Sequence, residues 1–462
     1  MRATLAQLLP ALAGATLRGD AAFAGVCSDS RNVAPGALFV ALRGEHFDAH
    51  AFLAEVAGKG AAAVLVEELP AGWTLPAIVV PDSLAALGQI ANLWRRHFTL
   101  PLIGVTGSNG KTTVKELLAA ILAAAYGEEG RLATRGNLNN EIGVPLTLFR
   151  LDAAQRAAVV ELGMNHPGEI ARLAAIAAPT VGLVNNAQRE HQEFMHTVAA
   201  VALENGAVLQ ALPADGVAVY PHGEEFSELW RGLAGARRSI TFGLEREADV
   251  SCTYRQADDF GSDMLVSVRG AAGAQQFFVA LRAAGEHNVR NALAAIACAL
   301  GAGVAIDSIQ RGLQAFEPVN GRLQRKRAAS GAAVIDDSYN ANPDSVRAAI
   351  DVLAQAGAPR ILVLGDMGEV GSQGRQFHEE IAAYALAKGI EHVLATGELA
   401  RHLRGANVAH FERFDDLLAA LDALLAGRPE ATVLIKGSRF MKMERAVQHL
   451  IGSHNNNNKE AH

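Results

Sequence analysis

The stretch Leu102-Ile103-Gly104-Val105-Thr106-Gly107-Ser108-Asn109-Gly110-Lys111-Thr112-Thr113 joins a buried-strand run to a helix through a glycine-rich turn. Such a turn aims successive backbone N–H groups, backed by the positive end of the helix, at anionic oxygens, and glycine lets the backbone come close to them. Lys111 then reaches the β- and γ-phosphates of a nucleotide, and Thr112 offers its hydroxyl to Mg²⁺. The usual phosphate-loop spacing is not met: five residues before Gly110 stands Val105, flanked by Gly104 and Gly107. An ordinary strand-to-helix turn with a surface lysine is the bland alternative, and the combined glycines, lysine and paired hydroxyls outweigh it. The motif assigns ATP or GTP to Gly107, Ser108, Asn109, Gly110, Lys111, Thr112 and Thr113; it does not say what is done with the nucleotide.

Downstream, Ala157-Ala158-Val159-Val160-Glu161 reads as a buried strand ending in a carboxylate, and Val181-Gly182-Leu183-Val184 as another ending in Asn185-Asn186. In doubly wound sheets ligands sit at the carboxyl ends of the strands, so Glu161, Asn185 and the loop should converge, with His191 in reach. A carboxylate closing a buried strand is costly unless paired, hydrated or on a metal, which makes Glu161 a candidate Mg²⁺ ligand. For His191 a surface-loop histidine is an equal reading. Between loop and Glu161, Asn137, Asn139 and Asn140 offer amides to an uncharged polar substrate, or serve only the turn. Further on, Gly285-Glu286-His287-Asn288-Val289-Arg290-Asn291 opens an alanine-rich helix, where Asn288 and Asn291 either cap the helix or read a base edge.

At 462 residues the chain exceeds one hydrophobic core, and a composition 50% hydrophobic but 5% aromatic favours α/β layers built from Ala, Leu, Val and Ile. A net charge of −7 argues against a general nucleic-acid binder. Cys27, Cys252 and Cys298 match no disulfide or metal spacing, which suits a reducing cytoplasm. Gln7 and Pro10 interrupt the apolar run at Met1 to Thr16, so it does not read as a secretion signal, and no stretch reaches a membrane span. Three α/β units are expected: a small one over 1–82, a central nucleotide-binding sheet over 83–316 with Ser83 as the N-cap candidate of its first helix, and an open sheet over 317–452. Residues 453–462 read as a frayed polar tail. In the first unit, Ser28, Ser30 and Arg31, with Arg43, suit a diphosphate, since hydroxyls donate directionally and guanidinium binds phosphate in a fork; as isolated motifs they are more often surface turns. Polar groups again close the strands of the third unit, at Asp337-Ser338-Tyr339-Asn340-Ala341-Asn342, Gly365-Asp366-Met367-Gly368-Glu369 and Lys436-Gly437-Ser438-Arg439.

These stretches together resemble the Mur ligase family, the ATP-dependent amide-forming enzymes of peptidoglycan synthesis. Thr106–Thr112 looks like that family's variant phosphate loop. Glu161-Leu162-Gly163, His191, His287-Asn288…Asn291 and Gly321-Arg322 look like its further motifs in order. The resemblance implies three domains, a UDP-substrate domain, a central P-loop-type ATPase sheet and a Rossmann-like C-terminal domain. Within the family, the likeness is greatest to the member that adds D-alanyl-D-alanine to UDP-muramoyl tripeptide. It implies ATP and Mg²⁺ as cofactors, a cytoplasmic monomer, and no nucleic-acid or membrane partner. Carried over residue by residue, Lys111, His191 and Arg322 are catalytic. Thr112, Glu161 and His191 hold metal, while Asn288, Asn291, Arg322 and Asp337 join the phosphate loop at ATP. Substrate falls to Ser28, Ser30, Arg31, Arg43, Asn137, Asn139, Asn140, Tyr339, Asn340 and Asn342. Where the family typically carries a carbamylated lysine this chain has Asn205, which cannot be carbamylated. Glu204 is then either a substitute metal ligand or a solvated helix residue. A sibling ligase adding one amino acid, a folyl-polyglutamate synthetase-like enzyme and an ATP-driven switch protein are the rivals.

Overall fold

Three consecutive lengths of chain each close a sheet of their own in the computed structural model, which describes residues 1–44, 47–257, 260–270 and 273–452. The expected tail at 453–462, and Glu45 and His46 beside Arg43, lie outside the described residues. The first sheet has five strands in the order Thr16–Arg18, Ala77–Val79, Ala63–Val66, Leu38–Val40, Val26–Cys27, parallel except for the first. Arg2–Thr4 and Ala22–Ala24 form a separate antiparallel pair beside it.

The second sheet has nine strands, ordered Gly273–Leu281, Gly261–Gly270, Val250–Ala257, Arg238–Phe242, Val217–Pro221, Val181–Val184, Leu102–Thr106, Ala157–Glu161, Arg131–Ala133. Its fully buried strand Leu102–Thr106 pairs in parallel with Val181–Val184 on one side and Ala157–Glu161 on the other. The chain reverses its direction of winding at that strand, and such a switch point opens a crevice at the carboxyl ends. The alternating segment after Ser239 becomes the three antiparallel strands that extend one edge. The third sheet orders Gln324–Arg327, Ala333–Asp337, Thr432–Lys436, Arg360–Leu364, His392–Thr396 and Val408–Phe411, with Gln324–Arg327 antiparallel at one edge.

Apolar burial joins the units unequally. A single cluster runs from Leu38, Leu65 and Ile78 of the first sheet through Leu87 and Ile90 of the helix Ser83–Arg95 to Leu102, Leu132 and Val160 of the second. Buried Arg95 ends that helix by donating to the carbonyls of Ala177 and Leu100, each at 3.2 Å. The helix is capped by Asp82, whose carboxylate accepts from Ala85 N at 2.9 Å. Ser83, expected as the cap, instead donates from its hydroxyl to Glu67 at 2.9 Å. The third sheet keeps its own two clusters, reached from the second unit by Ala284 and Phe260. Beneath the phosphate loop, the helix Lys111–Tyr126 is crossed by Ile306–Ala315, where Gly312 lets the backbone at Ile121 approach closer than a Cβ would permit.

Candidate active site

A cavity of about 740 Å³ opens where the carboxyl ends of the second and third sheets face each other. Its floor is the phosphate loop. Gly110, at φ +81°, must be glycine twice over, since a Cβ would also run into the side-chain amides of Asn291 and Asn185. Those amides tie the loop down: Asn185 Nδ2 donates to Asn109 O and to Asn291 Oδ1, both at 2.8 Å, and Asn109 N donates to Asn186 Oδ1 at 2.9 Å. Gly107 N donates to Asn205 Oδ1 at 2.9 Å, so the residue in the lysine's place braces the loop from behind. Asn205 Nδ2 is buried without a partner.

Lys111 curls over the loop onto the carbonyls of Gly107 and Ser108, with Glu190 Oε2 3.4 Å away. Two neutral carbonyls and one carboxylate thus share the ammonium. Thr112 Oγ1 donates to Glu161 Oε2 at 3.0 Å, and Asn139 Nδ2 to Oε1 at 2.8 Å. Glu161 is 2% exposed and has no basic partner among the described residues. A buried carboxylate held by neutral donors calls for a cation, so Thr112 and Glu161 fit Mg²⁺. No group of three or more His, Cys, Asp or Glu side chains among the described residues is arranged to hold a metal ion by itself. That suits a Mg²⁺ carried mostly by phosphates and water.

His191 faces the same cavity, at φ +48°, with Nδ1 2.7 Å from Glu369 Oε2 of the third unit and Nε2 3.7 Å from Glu190. The neighbouring imidazole holds the Glu369 carboxyl below its ordinary range. From the third sheet, Lys436 Nζ donates to Asp337 Oδ2 at 2.5 Å and to Asn340 O at 2.8 Å. Burial pushes the Asp337 carboxyl up, against the pull of Lys436 and Arg322. Arg322 stacks on Tyr339 at 4.3 Å, its guanidinium carrying no ion pair among the described residues. Asn342 caps the helix Pro343–Ala354 and exchanges amide hydrogen bonds with Asn109 of the loop, at 2.9 and 3.3 Å.

The cavity thus gathers Ser108 to Thr113, Asn137, Asn139, Asn140, Glu161, His191, Asn288, Asn291, Arg322, Asp337, Tyr339, Asn340 and Asn342. Asn140 also serves the turn, accepting from Gly143 N at 2.8 Å, and Asn288 reaches back to Ala284 O at 2.8 Å. Ser28, Ser30, Arg31 and Arg43 do not line it. Arg31 is forked onto Asp29, and Arg43 reaches Asp48, Glu67 and Glu68. Glu204 corrects both expectations for it: its two oxygens accept from Gly168 N and Ile170 N at 2.8 Å, capping the helix Glu169–Ala177. It is neither at the cavity nor merely solvated. Sequence reasoning passed over Glu190, Glu369 and Lys436 as individual site residues. The signal for Lys436 was present, a lysine closing an otherwise apolar strand.

Comparison with known proteins bears on the whole length. The Mur ligase middle domain matches residues 105–299, the Mur ligase glutamate ligase domain 321–439, and the Mur ligase family catalytic domain 22–95. The chain is 37% identical over 451 residues to the UDP-N-acetylmuramoyl-tripeptide–D-alanyl-D-alanine ligase of Escherichia coli K12, covering 97% of this chain and 98% of that one. It is 33% identical to the protein of the same name from Bacillus subtilis, covering 93% of each. A crystal structure of MurF from Acinetobacter baumannii superposes with a TM-score of 0.91 at 33% identity, over 98% of this chain and 99% of that one.

Proposed function

The chain belongs to the Mur ligase family, and we propose from that premise that it joins D-alanyl-D-alanine to the terminal carboxylate of UDP-N-acetylmuramoyl-tripeptide, with ATP consumed, in peptidoglycan precursor synthesis. The observation that carries this reading is near full-length likeness to ligases of that name, 37% identical over 451 residues. It is an ATP-dependent ligase.

Chemically, a carboxylate and an amine do not condense at neutral pH, because the oxygen that must leave is a poor leaving group. Phosphorylation of the substrate carboxylate by the γ-phosphoryl group of ATP makes that oxygen leave as phosphate. The dipeptide amine then attacks the acyl phosphate through a tetrahedral intermediate. The N–H groups at the start of the helix Lys111–Tyr126 and the Lys111 ammonium orient and neutralise the transferring phosphoryl group, and Arg322 adds charge from the opposite wall. Thr112 and Glu161, with His191 at hand, would hold Mg²⁺, which when bound would add neutralisation of the phosphate oxygens. Asn288 and Asn291 lie beneath the nucleotide, and Asp337 with Lys436 approaches it from the third sheet. Asn137, Asn139, Tyr339, Asn340 and Asn342 flank the path of the peptide substrates. Ser28, Ser30, Arg31 and Arg43 keep the UDP end, outside the cavity, where a diphosphate would draw Arg31 from Asp29 and Arg43 from Asp48, Glu67 and Glu68.

We assign the UDP end to residues 1–82, ATP to 83–316 and the incoming amine to 317–452, in a cytoplasmic monomer. No described helix is long and apolar enough to cross a membrane. The test is orthophosphate release from ATP with each substrate omitted in turn. Release that requires both the UDP-linked tripeptide and D-alanyl-D-alanine is expected; release with ATP alone would mark a switch protein, and release with a single amino acid a sibling ligase.

A further inference from the structure

The third unit faces the phosphate loop across a boundary that is polar where the second unit's apolar clusters end. At its centre stands Arg189, two residues before His191. Its backbone N donates to Asp344 Oδ2 at 2.9 Å, its Nη2 to Asp344 Oδ1 at 2.6 Å, and its Nη1 to Glu380 Oε2 at 2.8 Å. A second fork, Nη2 to Glu380 Oε1 at 3.1 Å, completes the clasp, and the guanidinium lies over the Phe377 ring at 5.2 Å. Arg347 donates to the same Glu380 at 2.7 Å, so two arginines share one carboxylate. Asp344 belongs to the cavity wall and sits two residues after Asn342, which bonds Asn109 of the loop.

These residues come from both sides of the boundary. Arg189 rides the loop that leaves Val181–Val184 and carries Glu190 and His191; Asp344 and Glu380 start and follow on two helices of the third unit, Pro343–Ala354 and Gly374–Ala387. The Arg189, Asp344 and Glu380 side chains keep 23%, 23% and 30% of their surface in water. Water reaches the clasp, so it can open without stranding a bare buried charge, unlike an apolar seam or a dry ion pair. Its forked geometry still fixes direction, because guanidinium and carboxylate meet in one plane.

We propose that Arg189 is a positioning residue for the ligation, the reversible clasp that sets the third sheet, with Asp337, Tyr339 and Lys436, against the phosphate loop. This deepens the ligase reading and rests on it. When the clasp engages, the Asn109–Asn342 and His191–Glu369 contacts form on either side of it, and the acyl phosphate is shielded from water. When it opens, product leaves.

The test compares wild type with Arg189→Ala, Glu380→Ala, the double variant and Arg189→Lys. Expected for Arg189→Ala is a fall in kcat of about tenfold or more, with nucleotide Kd within about twofold of wild type, because the nucleotide is held by the central unit alone until closure. The decrease in radius of gyration on adding a non-hydrolysable ATP analogue and the UDP-linked tripeptide should shrink in step. Arg189→Lys should recover part of kcat, since it keeps the charge and loses the forks. The double variant should be no slower than Arg189→Ala, as expected of residues acting as one unit. Wild-type kcat and full compaction in Arg189→Ala would overturn the proposal, as would additive losses in the double variant. Failure of wild type to ligate at all would instead sink the ligase reading, while the scattering arm would still report on the clasp.

Discussion

Replacing Glu204 by Ala should cost stability and leave the metal requirement alone. The helix Glu169–Ala177 begins at Gly168, which has no side chain to cap it, and Glu204 supplies both missing acceptors from the neighbouring helix Val198–Gln210. Loss of a cap is worth about 1 kcal/mol, and removing a negative charge from a helix N-terminus about 0.5 more. Ile170 is fully buried, so its N–H is left without water or partner, which brings the total to about 2–3 kcal/mol. At roughly 2–4 °C per kcal/mol for a domain of this size, Tm should drop by about 4–12 °C. Glu204→Gln, which keeps one acceptor oxygen and loses the charge, should lie about halfway. Calorimetry gives the first quantity, and a Mg²⁺ titration of the ligation rate the second. A several-fold rise in the Mg²⁺ needed for half-maximal rate, with Tm unmoved, would refute the capping argument and return Glu204 to the metal.

Three further outcomes can be checked. Lys111→Ala should lower kcat by about 10³-fold or more at saturating ATP with Tm near that of wild type, measured by ADP release, because the ammonium touches only loop carbonyls and Glu190 and supports no core. Asn205→Ala should raise KM for ATP about tenfold by freeing Gly107 N, and CO₂ depletion should not change wild-type turnover, since residue 205 has no amine to carbamylate. His287, on the cavity wall, has its pKa pulled down to about 4 by burial and then by Lys436. The folded state therefore holds it neutral while the unfolded chain takes up a proton below the ordinary value near 6.5. On the order of 2 kcal/mol of stability, present above that pH, should be lost as pH falls to about 4, and denaturation of His287→Gln should lack that component.

The parts that could be read beforehand are those where one residue type admits one environment. Glycine at 110 and lysine at 111 after an apolar strand pointed to a turn at the carboxyl end of the sheet, and the buried run ending in Glu161 to its neighbour; the structure brings all three to one cavity. The cap of the helix at Ser83 was misread by one residue because Asp82 and Ser83 are both good caps, and the choice fell to Glu67, 16 positions away, which takes the serine hydroxyl. Glu204 was ambiguous for the same reason: its partners Gly168 and Ile170 are distant in sequence, and no local pattern announces them. The edge strands Gln324–Arg327 and Val408–Phe411 escaped notice because an edge strand needs only one neighbour and need not be apolar.

Because each sheet is completed by an uninterrupted length of chain, the order of synthesis matches the order of burial. The five strands of the first sheet are all present once Val79 has left the ribosome, but their apolar face stays open until Ser83–Arg95 and Leu102–Thr106 emerge to cover it. The second sheet is whole at Leu281, and its other apolar face is covered once the helices Glu286–Gly301 and Ile306–Ala315 follow. What then waits for the last 140 or so residues is a polar rim, with Arg189 solvated rather than stranded. An unfinished chain paused before Gly321 therefore offers water-loving groups, and little that would stick to another unfinished copy.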